Sequence, residues 1–358
     1  MVEKRLRVPP ELAVRVPAHT MRETTEKIFE ALGMPEEHAR QAAQVLIWAD
    51  LRGIESHGVS NMMPFYVRGL QEGGINPRPA PQITRERAGT ATIDDDRGLG
   101  LATGPAAMRL AIEKAKTCGI GCVSVLNSRH FGAAGYHAAM ALEHDMIGLS
   151  MTVGGWQVLP TFGAKPMVGL NPIGVAVPSR SQAPFIFDAS MSSVAGNKIR
   201  LAQRLGAEVG PGWVAEADGT PVMSLAAVPS EFHMLPVGAT REIGSHKGYS
   251  LAMMVEFLTA FLSGAGARLG PGANVSHHFL AYSVDAFTDI EPFKDEVDKY
   301  LAAIRTTPTA PGHDRVIYAG VEMQENLEER SRTGIPYHRD VVEYFKTTAT
   351  GLGIAHRL

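Results

Sequence analysis

The stretch Asn127-Ser128-Arg129-His130-Phe131-Gly132-Ala133-Ala134-Gly135 places a histidine between a predicted strand, 121–126, and a helix predicted to begin near Gly135. In α/β proteins ligands gather at such junctions, because the strand stops and free helix N–H groups point outward. His130 can exchange a proton near neutral pH, and the small residues after it let a ligand approach the main chain closely. The stretch therefore predicts a ligand site at His130, although a histidine at a strand end can also be only a capping side chain.

A second histidine, His57, stands between a serine and a glycine in Arg52-Gly53-Ile54-Glu55-Ser56-His57-Gly58-Val59-Ser60, a turn that follows a predicted helix. Three further motifs follow in chain order: Gly169-Leu170-Asn171-Pro172, Phe187-Asp188-Ala189-Ser190-Met191-Ser192 and Gly244-Ser245-His246-Lys247-Gly248-Tyr249. From about Ala18 to near Ile335 the chain thus resembles the type II malate/L-lactate dehydrogenase family. That family includes ureidoglycolate, sulfolactate and diketogulonate oxidoreductases and pyrroline-2-carboxylate imine reductases. Each motif alone is weak, whereas five in the right order are specific.

Composition narrows the class of protein. The chain has 358 residues, 45% of them hydrophobic, which is enough for a large core in one domain or two. A formal net charge of −3 argues against a general nucleic-acid or anionic-membrane binder, which needs a basic face. The two cysteines, Cys118 and Cys122, form no disulfide framework and suit a reducing compartment. Without an apolar signal segment or membrane span, the sequence predicts a soluble cytoplasmic protein.

The order of helices and strands predicts an α/β fold. Helical stripes near 20–32, 35–50 and 61–72 precede Gly73-Gly74 and a proline-rich stretch, 77–81, which marks a boundary. We expect a helical domain from residues 1–80, completed by the mostly helical tail 322–358, and a central cofactor-binding domain, 81–321. The family resemblance implies a mixed, mainly antiparallel sheet wrapped by helices, with a cofactor site that is not of the Rossmann type.

Individual elements are predicted from local patterns. A capping box at Thr20 and Glu23 predicts the start of the first helix. Further strands are expected at 90–94, 147–152, 173–177 and 185–188, and helices at 104–116, 194–205 and 291–305. The apolar segment 246–263 predicts a long buried helix, and 279–284 alternates like a half-exposed strand.

The segment Gly98-Leu99-Gly100-Leu101-Ala102-Thr103-Gly104 imitates a dinucleotide-binding loop, because it follows a predicted strand and precedes a helix. Its spacing, Gly-x-Gly-x-x-x-Gly, departs from that fingerprint. Asn127 and Ser128 stand at the end of the next strand, where a ribose-binding acid is expected. We therefore interpret the segment as a tight turn into a helix.

Hydride transfer to a carbonyl or imine needs one proton donor beside the reacting atom, and the reverse reaction needs one base. His57 and His130 are the two candidates, since an unperturbed histidine pKa of about 6.5 suits both directions. By resemblance, the histidine of Ser-His-Gly matches the proton donor of the reductases, with Ser56 and an aspartate as its relay. The histidine of His-Phe-Gly lines the nicotinamide and is the base in the ureidoglycolate members.

The cofactor candidates are NAD and NADP, between which the sequence does not choose. Asp188 ends an apolar strand, so its carboxylate needs a partner. It can orient a histidine, anchor a ribose or cap a helix. Lys247 lies where a helix begins and can reach a phosphate or carboxylate, and Asn171 can serve its turn or the cofactor. The candidate cofactor contacts are His130, Phe131, Gly132, Ala133, Ala134, Asn171, Asp188, Ala189, Ser190 and Lys247.

One position departs from the family. Many relatives carry an arginine four residues after the Ser-His-Gly histidine, where a bidentate guanidinium grips the substrate carboxylate. Here that position is Asn61, so another cation, such as Arg52 or Arg129, holds the carboxylate, or the substrate lacks it. Thr152, at the end of a predicted strand, is a further candidate substrate contact. The departure puts malate and lactate in doubt as substrates.

The sequence thus predicts an NAD(P)-dependent oxidoreductase for a small 2-hydroxy acid and its 2-oxo acid. The alternatives are an imine reductase for cyclic 2-imino acids and a Ser/His hydrolase. Ser56, His57 and Asp188 suggest the hydrolase, but adjacent side chains rarely face each other and no Gly-x-Ser-x-Gly elbow exists. His277-His278 is not a chelating pair, so no metal is expected. The resemblance also implies a homodimer, with the active site near the subunit interface.

Overall fold

A computed structural model describes residues 8–267 and 275–358. The helices of this part are α1 Ala18–Ala31, α2 Glu36–Leu51, α3 Val59–Gln71, α4 Gly100–Cys118, α5 Ala134–Ala139, α6 Gly196–Leu205, α7 Ser245–Glu256, α8 Ile290–Arg305, α9 Val321–Thr333 and α10 Arg339–Gly351. Its strands are β1 Ala13–Val16, β2 Gln82–Glu86, β3 Thr90–Asp94, β4 Ile120–Ser128, β5 Met146–Thr152, β6 Ile173–Val177, β7 Phe185–Ala189, β8 Val214–Glu216, β9 Phe232–Met234, β10 Val275–Ser283 and β11 Ile335–His338.

A seven-stranded sheet forms the centre of the described structure, in the order β2-β3-β4-β10-β5-β6-β7. Only β3 and β4 run parallel, joined by the crossover helix α4, and every other pair is antiparallel. Helices α4 and α5 pack closely on this sheet. A Cβ at Gly121 would lie 1.8 Å from the Ala111 carbonyl oxygen of α4. The prediction of an α/β fold with a mixed, mainly antiparallel sheet is confirmed.

The C-terminal tail returns to the N-terminal helices. Strand β11 pairs antiparallel with β1, and buried side chains of α1, α2, α3 and α10 share one apolar core with the start of α4. Phe29 and Phe345, from opposite ends of the chain, are fully buried there. This packing fits the expected helical unit, while the division into 1–80 with 322–358 and 81–321 stays a prediction.

The predicted capping box at Thr20 is wrong. Helix α1 begins at Ala18 after Pro17, and no side chain caps its first turn. Thr20 lies inside the helix, where its carbonyl accepts a hydrogen bond from Thr24. Pro17 stands at the N-terminal end of the helix, where its missing N–H costs no hydrogen bond within the helix.

Of two predictions about burial, one is wrong and one agrees with the structure. The apolar segment after Gly244 forms α7 and a π-helical turn, Phe257–Phe261, but it exposes large apolar side chains, among them Leu251, Phe257, Phe261 and Leu262. The segment 279–284 alternates as predicted, although β10 lies at the centre of the sheet: Phe279 and Ala281 are fully buried, whereas Leu280 and Tyr282 are half-buried. Hydrophobic content alone does not say whether an apolar face meets the core, and alternation does not say how many sheet neighbours a strand has.

Candidate active site

The fold brings the two predicted histidines together. His57 lies in a 3₁₀ turn, Glu55–His57, directly before α3, and His130 lies two residues after the end of β4. Their imidazole rings are nearly parallel, with centroids 5.7 Å apart and an interplanar angle of 10°. The prediction that both histidines belong to one site therefore agrees with the geometry.

His130 is held in one tautomer. The main-chain N–H of Gly132 can only donate, and it lies 3.2 Å from His130 Nδ1. Nδ1 is therefore the acceptor, and it also takes the Tyr66 hydroxyl at 2.7 Å. The neutral ring must then carry its proton on Nε2. Burial, with smaller contributions from His57 and His137, lowers the pKa of His130 to about 3.

His57 is oriented by its neighbour in the chain. Its Nδ1 lies 2.9 Å from Ser56 Oγ, so the expectation that adjacent side chains do not face each other is wrong here. Burial lowers the pKa of His57 to about 4. Within the described residues, neither His57 Nε2 nor His130 Nε2 has a hydrogen-bond partner.

A buried carboxyl group fixes the turn that carries His57. Asp50, which is fully buried, accepts the Val59 N–H at 3.0 Å and the Tyr337 hydroxyl at 2.9 Å through Oδ2. A Cβ at Gly58 would lie 1.7 Å from Asp50 Oδ1, so only glycine fits between them. Arg330 donates to the Asp50 carbonyl at 2.6 Å and pairs with Glu55 at 2.8 Å. The tail therefore clamps both ends of the Ser-His-Gly turn.

Sequence reasoning missed several residues around the two histidines. Asn197 of α6 donates to the Ser56 carbonyl at 2.6 Å, and the exposed ring of Phe65 meets His130 edge-on at 6.3 Å. Burial raises the pKa of Tyr66 well above its usual value, so its hydroxyl stays protonated. Tyr66 could have been found from the sequence, because it carries a hydroxyl group among the apolar residues on the buried face of α3. No local sequence pattern indicates Asn197.

Asp188 lies on the other side of the His130 loop. Its Oδ2 accepts the Gly135 N–H at 2.8 Å, so it fixes the start of α5, and burial raises its pKa to about 6. No contact within the described residues joins Asp188 to His57, and a Ser56–His57–Asp188 triad is therefore not assembled there. Beyond it, Ser190 Oγ pairs with Ser192 Oγ at 2.9 Å.

The main chain of the predicted cofactor loop is well packed. Phe131, Gly132, Ala133 and Ala134 are all buried, and the Ala134 carbonyl accepts Ser150 Oγ at 2.6 Å. Ala189, the last residue of β7, pairs with Ile173 of β6. Through the Ala134 carbonyl and the Gly135 N–H, the loop after His130 is therefore tied to β5 and to β7.

Two of the predicted ligand contacts, Asn171 and Thr152, have protein partners. Asn171, with a left-handed φ of 43°, donates through Nδ2 to the Ala252 carbonyl at 2.9 Å and to Glu256 at 3.0 Å, which fits the local turn role. Thr152 Oγ1 is buried against His277 Nδ1 at 2.8 Å. Lys247 is exposed in the first turn of α7.

The cations proposed for a substrate carboxylate differ in their surroundings. Arg129 donates to the Gly74 carbonyl at 2.6 Å and to the Ser128 carbonyl at 2.7 Å, so its guanidinium serves the main chain. Arg52 stacks over Trp48, 4.2 Å from the ring centroid, and burial lowers its pKa to about 10. Asn61 donates to the Glu55 carbonyl at 2.7 Å and lies exposed on the first turn of α3.

The Gly98–Gly104 segment packs against its own chain. Helix α4 already begins at Gly100, four residues before the predicted start. A Cβ at Gly100 would lie 2.5 Å from the Arg129 carbonyl oxygen, and one at Gly98 would lie 2.9 Å from the Asp95 carbonyl oxygen. The glycines thus permit close packing of main chain on main chain, as expected for a turn into a helix.

Comparison with known proteins places this geometry in a family. The family model for malate/L-lactate dehydrogenase matches residues 16–346. The malate dehydrogenase of Pyrococcus abyssi is 38% identical over 95% of this chain and 96% of its own. The crystal structure of malate dehydrogenase from Entamoeba histolytica superposes with a TM-score of 0.91 at 31% identity, over 97% of this chain and all of the other.

A reductase is also among the relatives. The Δ1-pyrroline-2-carboxylate/Δ1-piperideine-2-carboxylate reductase of Pseudomonas putida is 34% identical over 70% of this chain and 72% of its own. A dehydrogenase and a reductase are thus both similar to this chain in sequence, and the dehydrogenase structure shares its fold. The chain belongs to the malate/L-lactate dehydrogenase family, and it is an oxidoreductase.

Proposed function

We propose that this enzyme uses NAD or NADP to transfer a hydride between the cofactor and a small 2-hydroxy acid or its 2-oxo acid. The observation that carries the proposal is the pair of parallel imidazoles, His57 and His130. Each is fixed at Nδ1 by a protein partner and keeps Nε2 without one among the described residues. Two such atoms, on rings whose centroids lie 5.7 Å apart, can bind and protonate the oxygen of a carbonyl group.

The two rings have different roles in this scheme. His130 Nε2–H is a fixed hydrogen-bond donor, which orients and polarises the substrate carbonyl. His57, oriented by Ser56, gives its proton to the carbonyl oxygen during reduction and takes it from the hydroxyl during oxidation. Burial lowers the pKa of His57 to about 4 in the free enzyme. An anionic substrate nearby favours the imidazolium form and raises that pKa, so protonation accompanies binding.

The surroundings of His130 fit a nicotinamide cofactor. Asp188 Oδ1 has no hydrogen-bond partner within the described residues and can accept from a ribose hydroxyl. The Met191 carbonyl accepts the Val237 N–H at 3.0 Å, which links the Asp188–Ser190 segment to the loop before α7 and Lys247. When bound, the cofactor supplies or accepts the hydride. We place the cofactor beside His130 and Asp188 and not on the Gly98–Gly104 turn. The proposed cofactor site is therefore not of the Rossmann type.

The substrate class follows from Asn61. Relatives named malate and sulfolactate dehydrogenases act on acids with a second anionic group. Asn61 supplies no charge, and a charge-assisted hydrogen bond is roughly twice as strong as a neutral one. Arg52, stacked on Trp48, is the cation we assign to the 2-carboxylate. A neutral Asn61 also suits a cyclic 2-imino acid, the substrate class of the Pseudomonas putida relative, which is our second candidate.

We expect weak activity on malate and lactate, and Asn61→Arg should lower KM for simple 2-oxo acids about tenfold, the effect of one added charge-assisted bond. The measurement is a panel of 2-oxo acids, ureidoglycolate and cyclic imines, with NADH and NADPH. Asn61→Gln is the matched control, since it lengthens the side chain without adding charge. A micromolar KM for malate or lactate in the native enzyme would show that Arg52 binds the carboxylate tightly without a second cation, and that Asn61 does not limit the substrate class.

We also propose a homodimer, formed through the exposed apolar face of α7 and the π-helical turn after it. Leu251, Met254, Phe257, Phe261 and Leu262 are all at least 38% exposed on this segment. Contiguous apolar surface of this kind is typical of protein–protein interfaces.

The free thiols of Cys118 and Cys122 fit the cytoplasmic location, which stays a prediction. In the described residues no helix has the length and hydrophobicity to cross a bilayer.

The dimer is tested by sedimentation velocity. We expect the native protein to sediment as a dimer and Phe257→Asp/Phe261→Asp to raise the dissociation constant at least 100-fold, because each charge would be buried without a partner. Phe287→Asp is the control, since Phe287 is also exposed but lies far along the chain, after β10. A native monomer at all concentrations would contradict the proposal.

A further inference from the structure

A chain of buried polar side chains crosses the sheet beside His130, and none of the five motifs explains it. Thr152, His277, Ser128 and Asp95 are each at most 6% exposed. They come from four neighbouring strands: Thr152 ends β5, His277 lies in β10, Ser128 ends β4 and Asp95 follows β3. The chain thus joins the strand ends that support the His130 loop.

The direction of its hydrogen bonds follows from the partners. His277 Nε2 lies 3.1 Å from the Arg129 carbonyl oxygen, which can only accept, so Nε2 carries the proton. The same N–H points at Ser128 Oγ, 3.0 Å away, and Ser128 donates its own proton to Asp95 Oδ2 at 2.5 Å. His277 Nδ1 is left to accept from Thr152 Oγ1. Burial lowers the pKa of His277 to about 3, so the ring stays neutral.

His277 touches both chain neighbours of His130. It binds the Arg129 carbonyl, and its ring stacks on Phe131 with centroids 4.7 Å apart and an interplanar angle of 6°. The other face of Phe131 is covered by His137, at 4.5 Å. Helix α4 closes the packing, because a Cβ at Gly100 would lie 2.8 Å from His277 Nε2. The main chain on each side of His130 is therefore fixed by one side chain.

We propose that His277 is a positioning residue for His130. Through the Arg129 carbonyl and the Phe131 ring it sets the path of the main chain, and the hydrogen bonds to Thr152 and Ser128 set the orientation of His277. The inference rests on the proposed role of His130 in the reaction. A displacement of about 1 Å in a reacting group can cost about 100-fold in rate, so His277 affects turnover without touching substrate.

Two substitutions distinguish the effect of the His277 hydrogen bonds from the effect of its ring packing on Phe131. His277→Phe keeps an aromatic ring against Phe131 but removes the N–H, and His277→Gln keeps an N–H at about the same reach. We expect His277→Phe to lower kcat 10- to 100-fold with KM changed less than threefold, and His277→Gln to recover kcat to within fivefold of wild type. His278→Phe is the control, because His278 is buried in the same strand but bonds Ser124 instead. Its kcat should stay within twofold.

Nitrogen-15 spectra of the His130 ring, assigned with His130→Asn, give a readout that needs no turnover. The wild type should show the neutral Nε2–H tautomer, and His277→Phe a mixture of tautomers. An unchanged His130 spectrum together with a kcat equal to that of His278→Phe would overturn the proposal. A wild type without NAD(P)-dependent turnover would refute the proposed function, while the spectrum still tests His277. If His277→Phe does not fold, Ser128→Ala takes its place, with the same expected tautomer change and a three- to tenfold loss of kcat.

Discussion

His57→Asn should lower kcat by two to four orders of magnitude while the dissociation constants of NADH and NADPH change less than threefold. This is the usual scale of general acid/base catalysis. Asparagine suits the test, because its amide reaches about as far as Nδ1 and can still pair with Ser56 Oγ, which lies 2.9 Å from Nδ1 in the native turn. The substitution therefore removes Nε2 and leaves the turn in place.

The measurements are stopped-flow turnover and fluorescence titration of the reduced cofactor. His313→Asn is the matched control, since His313 is exposed in the loop between α8 and α9 and should leave kcat unchanged. The loss of kcat in His130→Asn should be smaller than in His57→Asn if His130 mainly donates a hydrogen bond. It should be larger if His130 is the base. Near wild-type turnover in His57→Asn would remove His57 from the mechanism.

Much of the candidate site could be predicted from local sequence, because its core residues lie in short motifs. Ser-His-Gly and His-Phe-Gly each combine a titrating ring with small residues in a turn, and the resemblance to a known family placed them in one site. In the structure the rings of His57 and His130 lie side by side. The mixed, mainly antiparallel sheet was predictable on the same basis, whereas propensity alone gave only the alternation of helices and strands.

What the sequence did not predict depends on contacts between distant segments. Asp50 and Tyr337 meet behind the His57 turn although 286 residues separate them along the chain, and their 2.9 Å hydrogen bond has no local signature. His277 was considered only as a metal ligand and rejected, because spacing cannot show that its partners come from neighbouring strands. The apolar residues of α7 indicated burial, but hydrophobicity does not distinguish a core from a surface that another chain covers.

The second large effect concerns stability in acid. Burial lowers the pKa of five histidines: His57, His137 and His278 to about 4, and His130 and His277 to about 3. In the unfolded chain each titrates near 6.5. A group whose folded pKa is depressed in this way destabilises the folded state as the pH falls below its unfolded pKa, because only the unfolded chain takes up the proton.

Three buried carboxyl groups act in the opposite direction. Burial raises the pKa of Asp50 and Asp95 to about 7 and that of Asp188 to about 6. Between pH 4 and 6 the folded state holds these protons and the unfolded chain does not. With five histidines against three carboxyls, the unfolded chain binds about two more protons in this range, so stability falls with acidification.

We therefore expect the free energy of unfolding to be nearly constant around pH 7 and to fall by roughly 4 kcal/mol between pH 7 and 4.5, at about 1.4 kcal/mol per proton and pH unit. This is a large part of the stability of an ordinary protein. Urea unfolding across this range measures the slope. His278→Gln removes one titrating group away from the active site, so it should flatten the slope by about one proton. Equal stability at pH 4.5 and 7, or a slope that His278→Gln leaves unchanged, would show that these histidines already carry protons in the folded state.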